Sequence, residues 1–208
     1  MSPPQRARSR ASARVLQFRV ELQDIRPPIW RRIEVPATYT FWDLHVAIQD
    51  AMGWKDSHLH EFQLGKAGSH ELVRIGIPGD EFPDERPTRS GWKIRIAPHF
   101  TVKGARARYL YDFGDSWEHV LEFEGAFPRD GRARYPRCVA GARACPPEDV
   151  GGTPGYEEFL AAIADPHHEQ HDNMQQWVGG CFDPEGFAAE RVSFDDPRAR
   201  RRLAFARR

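Results

Sequence analysis

Apolar and polar residues alternate along several short stretches of the chain, which is the pattern of a β-strand with one buried face. The clearest stretch runs from Leu16 to Leu22, where every second residue is apolar. Further strands are predicted at Trp30 to Val35, His58 to Leu64, Glu71 to Ile75 and Trp92 to Ile96. We therefore expect the first half of the chain to be mainly β-sheet.

One early helix interrupts this pattern, and more helices follow near the end of the chain. Phe41 to Met52 comes directly after Thr40, which can cap a helix start, and directly before Gly53, which can end one. Three further helices are predicted in the C-terminal third, beginning at Thr153-Pro154, spanning His167 to Val178, and spanning Pro184 to Glu190.

The strongest hairpin signal is Tyr109 to Phe113, a turn at residues 114–116, and then Trp117 to Phe123. Alternation places three rings on one face of the first strand (Tyr109, Tyr111, Phe113) and four large side chains on one face of the second (Trp117, His119, Leu121, Phe123). A three-residue turn makes the two faces coincide. We expect an aromatic wall buried beneath the C-terminal helices.

The order of the elements indicates the fold class. Because strands come first and helices last, the sequence predicts an α+β fold: one or more antiparallel sheets, one early helix, and a C-terminal group of helices packed on the sheet. A chain of 208 residues suits one domain. We expect that domain at residues 15–190, between a disordered basic tail at 1–14 and a basic C-terminal tail at 191–208.

The net charge of zero hides an uneven distribution. Residues 1–14 hold four arginines and no acid, and residues 191–208 hold seven arginines and two aspartates. The remaining residues, 15–190, hold 19 basic and 28 acidic residues, a net charge of −9. An acidic body of this kind is poorly suited to bind duplex DNA across its main face.

The cysteines and the N-terminal sequence indicate the cellular compartment of the protein. Cys138, Cys145 and Cys181 are few and odd in number, which argues against a disulfide framework. No apolar run approaches the roughly 20 residues of a membrane-spanning helix. The arginine-rich start lacks the apolar segment of a secretory signal. We expect a cytoplasmic protein with no membrane association.

Several segments, taken in order, resemble one known family. They read RPPIWRR at 26–32, HLHEF at 58–62, YLYDFGDSWEH at 109–119, CVAGARACPPEDVGG at 138–152, GYEEFL at 155–160 and FDPE at 182–185. Together they resemble the plasmid pRiA4b ORF-3-like family over about residues 15–190. That family includes passenger proteins of insertion elements.

The resemblance implies a compact α+β domain of unassigned activity. Some relatives carry a resolvase label, but a serine recombinase needs a nucleophilic serine in a folded catalytic domain. Ser9 and Ser12 lie in the predicted N-terminal tail, and no helix-turn-helix pattern is evident. We therefore expect a non-catalytic binding or accessory domain of mobile-element (plasmid or transposon) origin, with a protein or nucleic-acid partner and an unspecified oligomeric state.

Four residues are candidate ligands for a divalent metal ion. Asp112 and His119 lie near the end of the predicted hairpin, and carboxylate with imidazole can hold Mn, Fe or Zn. His58 and His60 are two apart, so on a strand they point to the same side. The alternative is that these histidines are structural and that the aspartates pair with arginine or with backbone. No cofactor is expected by default.

A metal-dependent hydrolase or nuclease is the alternative to a binding domain. Its catalytic candidates are Asp112, Asp115, His119, Glu148 and Asp149, whose side chains would hold a cation that activates water. Asp115 is equally suited to a turn, and Glu148 and Asp149 to capping the helix that follows. The sequence contains no evident nucleophile–base pair or phosphate-binding loop.

A second alternative is nucleic-acid binding through the arginine-rich ends. The candidates are Arg198, Arg200, Arg201 and Arg202, because clustered arginines bind phosphates by releasing counterions. A solvated, disordered end explains the same composition.

Overall fold

The structure is a computed structural model that describes residues 13–65, 71–79 and 87–206. These ranges contain eight strands: β1 Arg14–Leu22, β2 Trp30–Pro36, β3 His60–Gly65, β4 Leu72–Gly76, β5 Arg89–Ser90, β6 Arg106–Tyr111, β7 Trp117–Pro128 and β8 Arg137–Ala142. They also contain four α-helices: α1 Phe41–Met52, α2 Gly152–Ala164, α3 His171–Trp177 and α4 Pro197–Ala206. None of the helices in these ranges is long and apolar enough to cross a membrane.

All eight strands belong to one sheet in the order β5-β4-β3-β6-β7-β1-β2-β8. Every neighbouring pair is antiparallel except β4 and β5. The predicted α+β class, with a mostly antiparallel sheet, one early helix and later C-terminal helices, is confirmed.

The two faces of the sheet differ in chemistry, as the alternation in β1 predicts. Phe18 and Val20 are buried in the core, which also takes in α1 and two side chains of α2. The opposite face carries arginine–glutamate pairs such as Arg32–Glu124 and Arg106–Glu122. This second face is solvated, and its ion pairs contribute little to stability.

Helix α1 begins and ends as the sequence predicts. The Thr40 side chain accepts a hydrogen bond from the Asp43 amide, and the Asp43 carboxylate accepts one from the Thr40 amide. Aspartate therefore completes a capping box that usually uses glutamate or glutamine. Gly53 ends the helix with φ of 95°, a left-handed conformation that favours glycine.

The β6–β7 hairpin pairs Tyr111 with Trp117 and Tyr109 with His119, so the two predicted faces do coincide. The connecting loop has five residues (112–116) rather than three, because β6 ends at Tyr111, two residues earlier than predicted, whereas β7 begins at Trp117 as predicted. Phe113 therefore leaves the sheet and is 47% exposed, so its predicted place in the wall is wrong. The wall is covered by Trp54 and by side chains of α1, and Tyr156 and Phe159 of α2 belong to the same buried core.

Three predicted elements are wrong or too long. Trp92 to Ile96 forms a 3₁₀ turn and one isolated bridge instead of a strand. Pro184 to Glu190 is not an α-helix, because the Asp183 side chain bonds the Glu185 amide in a local turn. The helix predicted from His167 begins only at His171, since Asp165 bonds the His167 amide in the same way.

The C-terminal segment, expected to be a basic tail, contains helix α4. Arg200 on α4 forms ion pairs with Asp50 on α1 and with Asp195. The Trp42 indole donates to the Pro197 carbonyl. These contacts hold α4 against α1. Of the predicted N-terminal tail, residues 1–12 lie outside the described residues, and Arg14 is the first residue of β1.

Candidate functional site

Four ionisable side chains from three separate parts of the chain meet at one place. The His58 Nε2 atom lies 2.8 Å from Asp149 Oδ1, 3.5 Å from Asp112 Oδ2 and 3.7 Å from Glu148 Oε2. We call these four residues the His58 cluster. One imidazole nitrogen thus faces three carboxylates, and the ligand atoms of His58, Asp112 and Asp149 all lie within 4.8 Å of one another.

Tight loops bring the cluster together. His58 precedes β3, Asp112 opens the β6–β7 loop, and Glu148 and Asp149 lie in the turn before α2. Asp112 and Asp149 have φ of 55° and 59°, a left-handed conformation that aspartate adopts more readily than most residues. The turn chemistry that the sequence shows at these positions is therefore real, and it also aims carboxylates at His58.

Two of the carboxylates are anchored by one oxygen and face His58 with the other. Asp112 Oδ1 accepts the Gly114 amide at 2.9 Å, whereas Oδ2 faces His58. Glu148 Oε1 accepts the Lys55 amide at 2.6 Å, whereas Oε2 faces His58. Such anchoring fixes the orientation of a ligand group before an ion binds.

The Tyr111 hydroxyl also helps to hold the His58 cluster in place. Its hydroxyl lies 3.0 Å from both Glu148 carboxylate oxygens and accepts the Ser57 amide at 3.0 Å. Burial, followed by the nearby Glu148 charge, raises the pKa of Tyr111 well above its usual value. Tyr111 therefore stays protonated and donates to Glu148, which joins the His58 loop to the turn before α2.

The cluster carries excess negative charge. Among the described residues, no lysine or arginine forms an ion pair with Asp112, Glu148 or Asp149. Even a protonated His58 would neutralise only one of three carboxylates. Carboxylates held this close to one another are stabilised by a cation between them.

The structure brings together four of the sequence candidates and separates three. His58, Asp112, Glu148 and Asp149 form the cluster. Asp115 instead lies in the β6–β7 loop, the turn position that the sequence also allowed, and its carboxylate accepts the Gly151 amide at 3.1 Å. His119 and His60 are buried elsewhere in the core.

His119 lies inside the core with Trp54 edge-on against its ring. Its Nδ1 atom is 3.3 Å from the Tyr109 carbonyl, so Nδ1 carries the proton and donates it there. Burial lowers the pKa of His119 to about 4. It is therefore a neutral core residue at physiological pH and lies apart from the His58 cluster.

This pKa predicts a pH-dependent stability. The folded-state pKa lies below the unfolded value of about 6.5, so protonation favours the unfolded chain as pH falls. His119→Gln keeps a donor but removes the titration. Between pH 7 and pH 5, wild type should lose about 2 kcal/mol of unfolding free energy relative to His119→Gln. Urea unfolding at both pH values measures this difference, and equal losses would contradict it.

His60 belongs to a second, buried group that the sequence did not reveal. Its ring stacks on His45 of α1 with centroids 3.4 Å apart, and Asp56 lies beside them. His58 and His60 point apart because His58 precedes the strand, so the period of two does not relate them. The sequence could have indicated His45, because it is a histidine on the predicted buried face of α1.

The second group is tied into a closed hydrogen-bond ring. Gln49 donates to the Tyr109 hydroxyl at 2.9 Å, and that hydroxyl donates to His45 Nδ1 at 2.8 Å. His45 Nε2 then donates to Asp56 Oδ1 at 2.8 Å, and the Asp56 amide donates to Gln49. The ring fixes the chain just before His58, so its role in the cluster is structural support.

The candidate arginines differ in their surroundings. Arg200 is held by Asp50 and Asp195 and lies 3.8 Å from Asp56, so its charge is already matched by carboxylates. Arg198 and Arg202 are exposed, and Arg201 is half-buried. Nucleic-acid binding by these four residues stays a prediction.

Two clefts border the cluster. A cleft of about 570 Å³ is lined by His58 and Lys55 on one side and by α4 on the other. A second cleft, of about 650 Å³, lies between α2 and α3 and reaches Asp149. An ion at the His58 cluster would be accessible from solvent, because the His58 side chain is 31% exposed.

Two relatives have sequences similar to this chain over most of its length. The "Uncharacterized protein y4hQ" of Sinorhizobium fredii (strain NBRC 101917 / NGR234) is 40% identical over 168 residues, which cover 80% of this chain and 82% of that protein. The crystal structure of "Protein of Unknown Function MM3350" from Methanosarcina mazei Go1 is 43% identical with a TM-score of 0.78, covering 87% of this chain and 98% of that one. Neither description names a catalytic activity.

The sequence profile of one family matches residues 14–191, which include every strand and helix described above except α4. Its description is "Plasmid pRiA4b ORF-3-like protein". The predicted resemblance is confirmed, and the chain belongs to the plasmid pRiA4b ORF-3-like family.

Proposed function

We propose that this protein is a divalent-metal-binding domain whose ion is held by the His58 cluster. His58 Nε2, one oxygen of Asp112 and one oxygen of Asp149 are the ligands, and Glu148 lies beside them. The ion serves a binding or accessory role, in keeping with the absence of an evident nucleophile–base pair from the sequence.

A single observation carries this proposal: three carboxylates face one imidazole nitrogen without a lysine or arginine of the described chain pairing with them. The anchored oxygens of Asp112 and Glu148 support it, because they hold the remaining oxygens in place before binding. Mixed imidazole and carboxylate ligands suit Mn²⁺, Fe²⁺ or Zn²⁺.

The proposal predicts metal binding that depends on His58 and Asp112. Protein purified without a histidine tag should bind one equivalent of Mn²⁺ or Zn²⁺, as measured by elemental analysis and calorimetry. His58→Ala and Asp112→Asn should each weaken binding about 100-fold, comparable to the loss of a ligand or its support. Asparagine tolerates the φ of Asp112 and keeps an oxygen acceptor for Gly114, so this variant replaces only the charged oxygen that faces His58 with a neutral amide nitrogen.

Matched controls make the result specific. His167→Ala removes an exposed histidine, and Glu122→Gln neutralises a glutamate that pairs with Arg106 on the far face of the sheet. Both should bind the ion like wild type. A protein that stays metal-free, or equal affinities for His58→Ala and His167→Ala, would reject the metal site.

A metal-dependent hydrolase is the second candidate function. The observation that favours it is the solvent access of the cluster and the 570 Å³ cleft beside it, which leave coordination positions open for water or substrate. Metal-loaded protein would then hydrolyse an activated phosphodiester such as bis(p-nitrophenyl) phosphate. The activity should be lost in Asp112→Asn, and its absence from fully loaded protein would leave only the binding role.

The cytoplasm is the compartment we propose for this activity. Cys138, Cys145 and Cys181 are all free thiols, which suits a reducing environment.

A further inference from the structure

One continuous segment of the chain contains aspartate and glutamate but no lysine or arginine. Residues 144–190 contain ten aspartates and glutamates and no lysine or arginine. The segment includes the turn before α2, both helices α2 and α3, and the connection toward α4. This segment of 47 residues therefore carries charged side chains of one sign, which attract cationic partners and repel anionic ones.

An exposed aromatic side chain lies within this acidic segment. Trp177, the last residue of α3, is 48% exposed. The Trp177 ring packs in an edge-to-face arrangement with the buried Phe159 ring of α2, with centroids 5.8 Å apart. Trp177 and Phe159 line the 650 Å³ cleft between α2 and α3 together with Met174. The cleft thus has a rigid aromatic wall that is partly open to solvent.

Carboxylates border the same cleft. Glu158 on α2 and Glu169 before α3 both line it and are exposed, and among the described residues neither forms an ion pair. Aromatic faces attract cations, and arginine in particular stacks on tryptophan while its guanidinium donates to carboxylates. The cleft therefore combines the two features that recognise an arginine side chain.

We propose that the cleft between α2 and α3 is a docking site for an arginine-rich peptide segment of a partner protein. An arginine of the partner stacks on Trp177, and Glu158 and Glu169 pair with its charge or with that of neighbouring arginines. Phe159 and Met174 accept the aliphatic part of the side chains. Nucleic acid is disfavoured here because the surrounding 47 residues carry ten acids and no lysine or arginine.

This docking site is separate from the proposed metal site. Asp149 borders both places, but Trp177, Glu158 and Glu169 are not part of the His58 cluster. Peptide binding measured in the presence of a chelator therefore tests the docking site alone. Failure of either proposal leaves the other intact.

The test uses the full chain and a fluorescein-labelled peptide of alternating arginine and alanine, followed by fluorescence anisotropy in chelator. Wild type should bind the peptide, with affinity that falls as salt rises. Trp177→Ala, and separately the double variant Glu158→Gln/Glu169→Gln, should each weaken binding about tenfold, equivalent to the loss of a cation–π contact or of two charge contacts. The double variant keeps the apolar contacts of the fold.

Two controls separate recognition from general attraction. Phe127→Ala removes an aromatic side chain of β7 that is 43% exposed and lies outside the cleft, and Glu122→Gln removes a charge from the far face of the sheet. Both should bind the peptide within about twofold of wild type. Equal weakening by Glu122→Gln and by the double variant would overturn the proposal. So would binding of a single-stranded oligonucleotide that is lost in Trp177→Ala.

Discussion

Replacing Trp54 with alanine is expected to lower the free energy of unfolding by about 4 kcal/mol, the range found for large aromatic residues in cores. Trp54 lies two residues after the end of α1 and is only 4% exposed. Its ring stacks on Tyr111 with centroids 4.9 Å apart and lies 6.0 Å from Trp117. Removing it opens a cavity over the aromatic wall of the hairpin.

Trp54 also links the wall to the His58 cluster. Its indole donates to the Pro146 carbonyl at 2.9 Å, two residues before Glu148. The alanine variant leaves that buried carbonyl without its donor, which adds to the cost of the cavity. Because Glu148 and Asp149 follow Pro146, we expect weaker metal binding as well as lower stability.

Urea unfolding followed by circular dichroism measures the effect, and Trp177→Ala is the matched control. Trp177 is the same residue type but is 48% exposed, so its replacement should cost less than about 1 kcal/mol. Similar losses for the two variants would show that Trp54 does not hold the wall in place. The comparison also checks that Trp177→Ala is folded, on which the peptide-binding test depends.

The parts of the fold that the sequence predicts are those set by local pattern. The alternation from Leu16 to Leu22 places β1, and the pair Thr40 and Gly53 places both ends of α1. Each of these predictions depends only on residues that lie close together in the sequence. The two faces of the hairpin still coincide although the turn is longer than predicted, because the loop grows by two residues, and an even number keeps the alternation in phase.

Elements held by distant contacts are missed. Helix α4 is rich in arginine and buries none of its residues, and it is held by Arg200 against Asp50, which is 150 residues away. Conversely, residues 184–190 have a composition that favours a helix, but the local turn at Asp183 forms there instead. In both cases a tertiary or side-chain contact overrides the residue preferences.

The candidate site also combines features set by local sequence with features set by distant contacts. The sequence identifies Asp112, Glu148 and Asp149 as turn carboxylates but gives no means of placing them together, since Asp112 and Asp149 are 37 positions apart. It groups His58 with His60 by assuming a strand that begins two residues too early. The pairing of the Tyr111 hydroxyl with Glu148, which brings the two loops together, depends on the folded sheet.

Gly155→Ala tests whether the turn before α2 must keep its shape for the cluster to form. A methyl group at Gly155 would overlap the carbonyl oxygen of Val150, a backbone atom that cannot move away alone. Helix α2 must then shift relative to residues 148–151. We expect a loss of about 3 kcal/mol in unfolding free energy, at the upper end for overpacking, because the clash is with backbone.

The same shift displaces Glu148 and Asp149 relative to His58, since they are the two residues before Val150. Gly155→Ala should therefore also bind Mn²⁺ or Zn²⁺ about tenfold more weakly, although it alters no ligand. Gly131→Ala is the control, because a methyl group there meets no atom within 4 Å. Calorimetry and urea unfolding on both variants measure the two effects. Lower stability with unchanged metal affinity would mean that the turn keeps its carboxylates in place independently of α2, whereas unchanged stability would contradict the predicted clash itself.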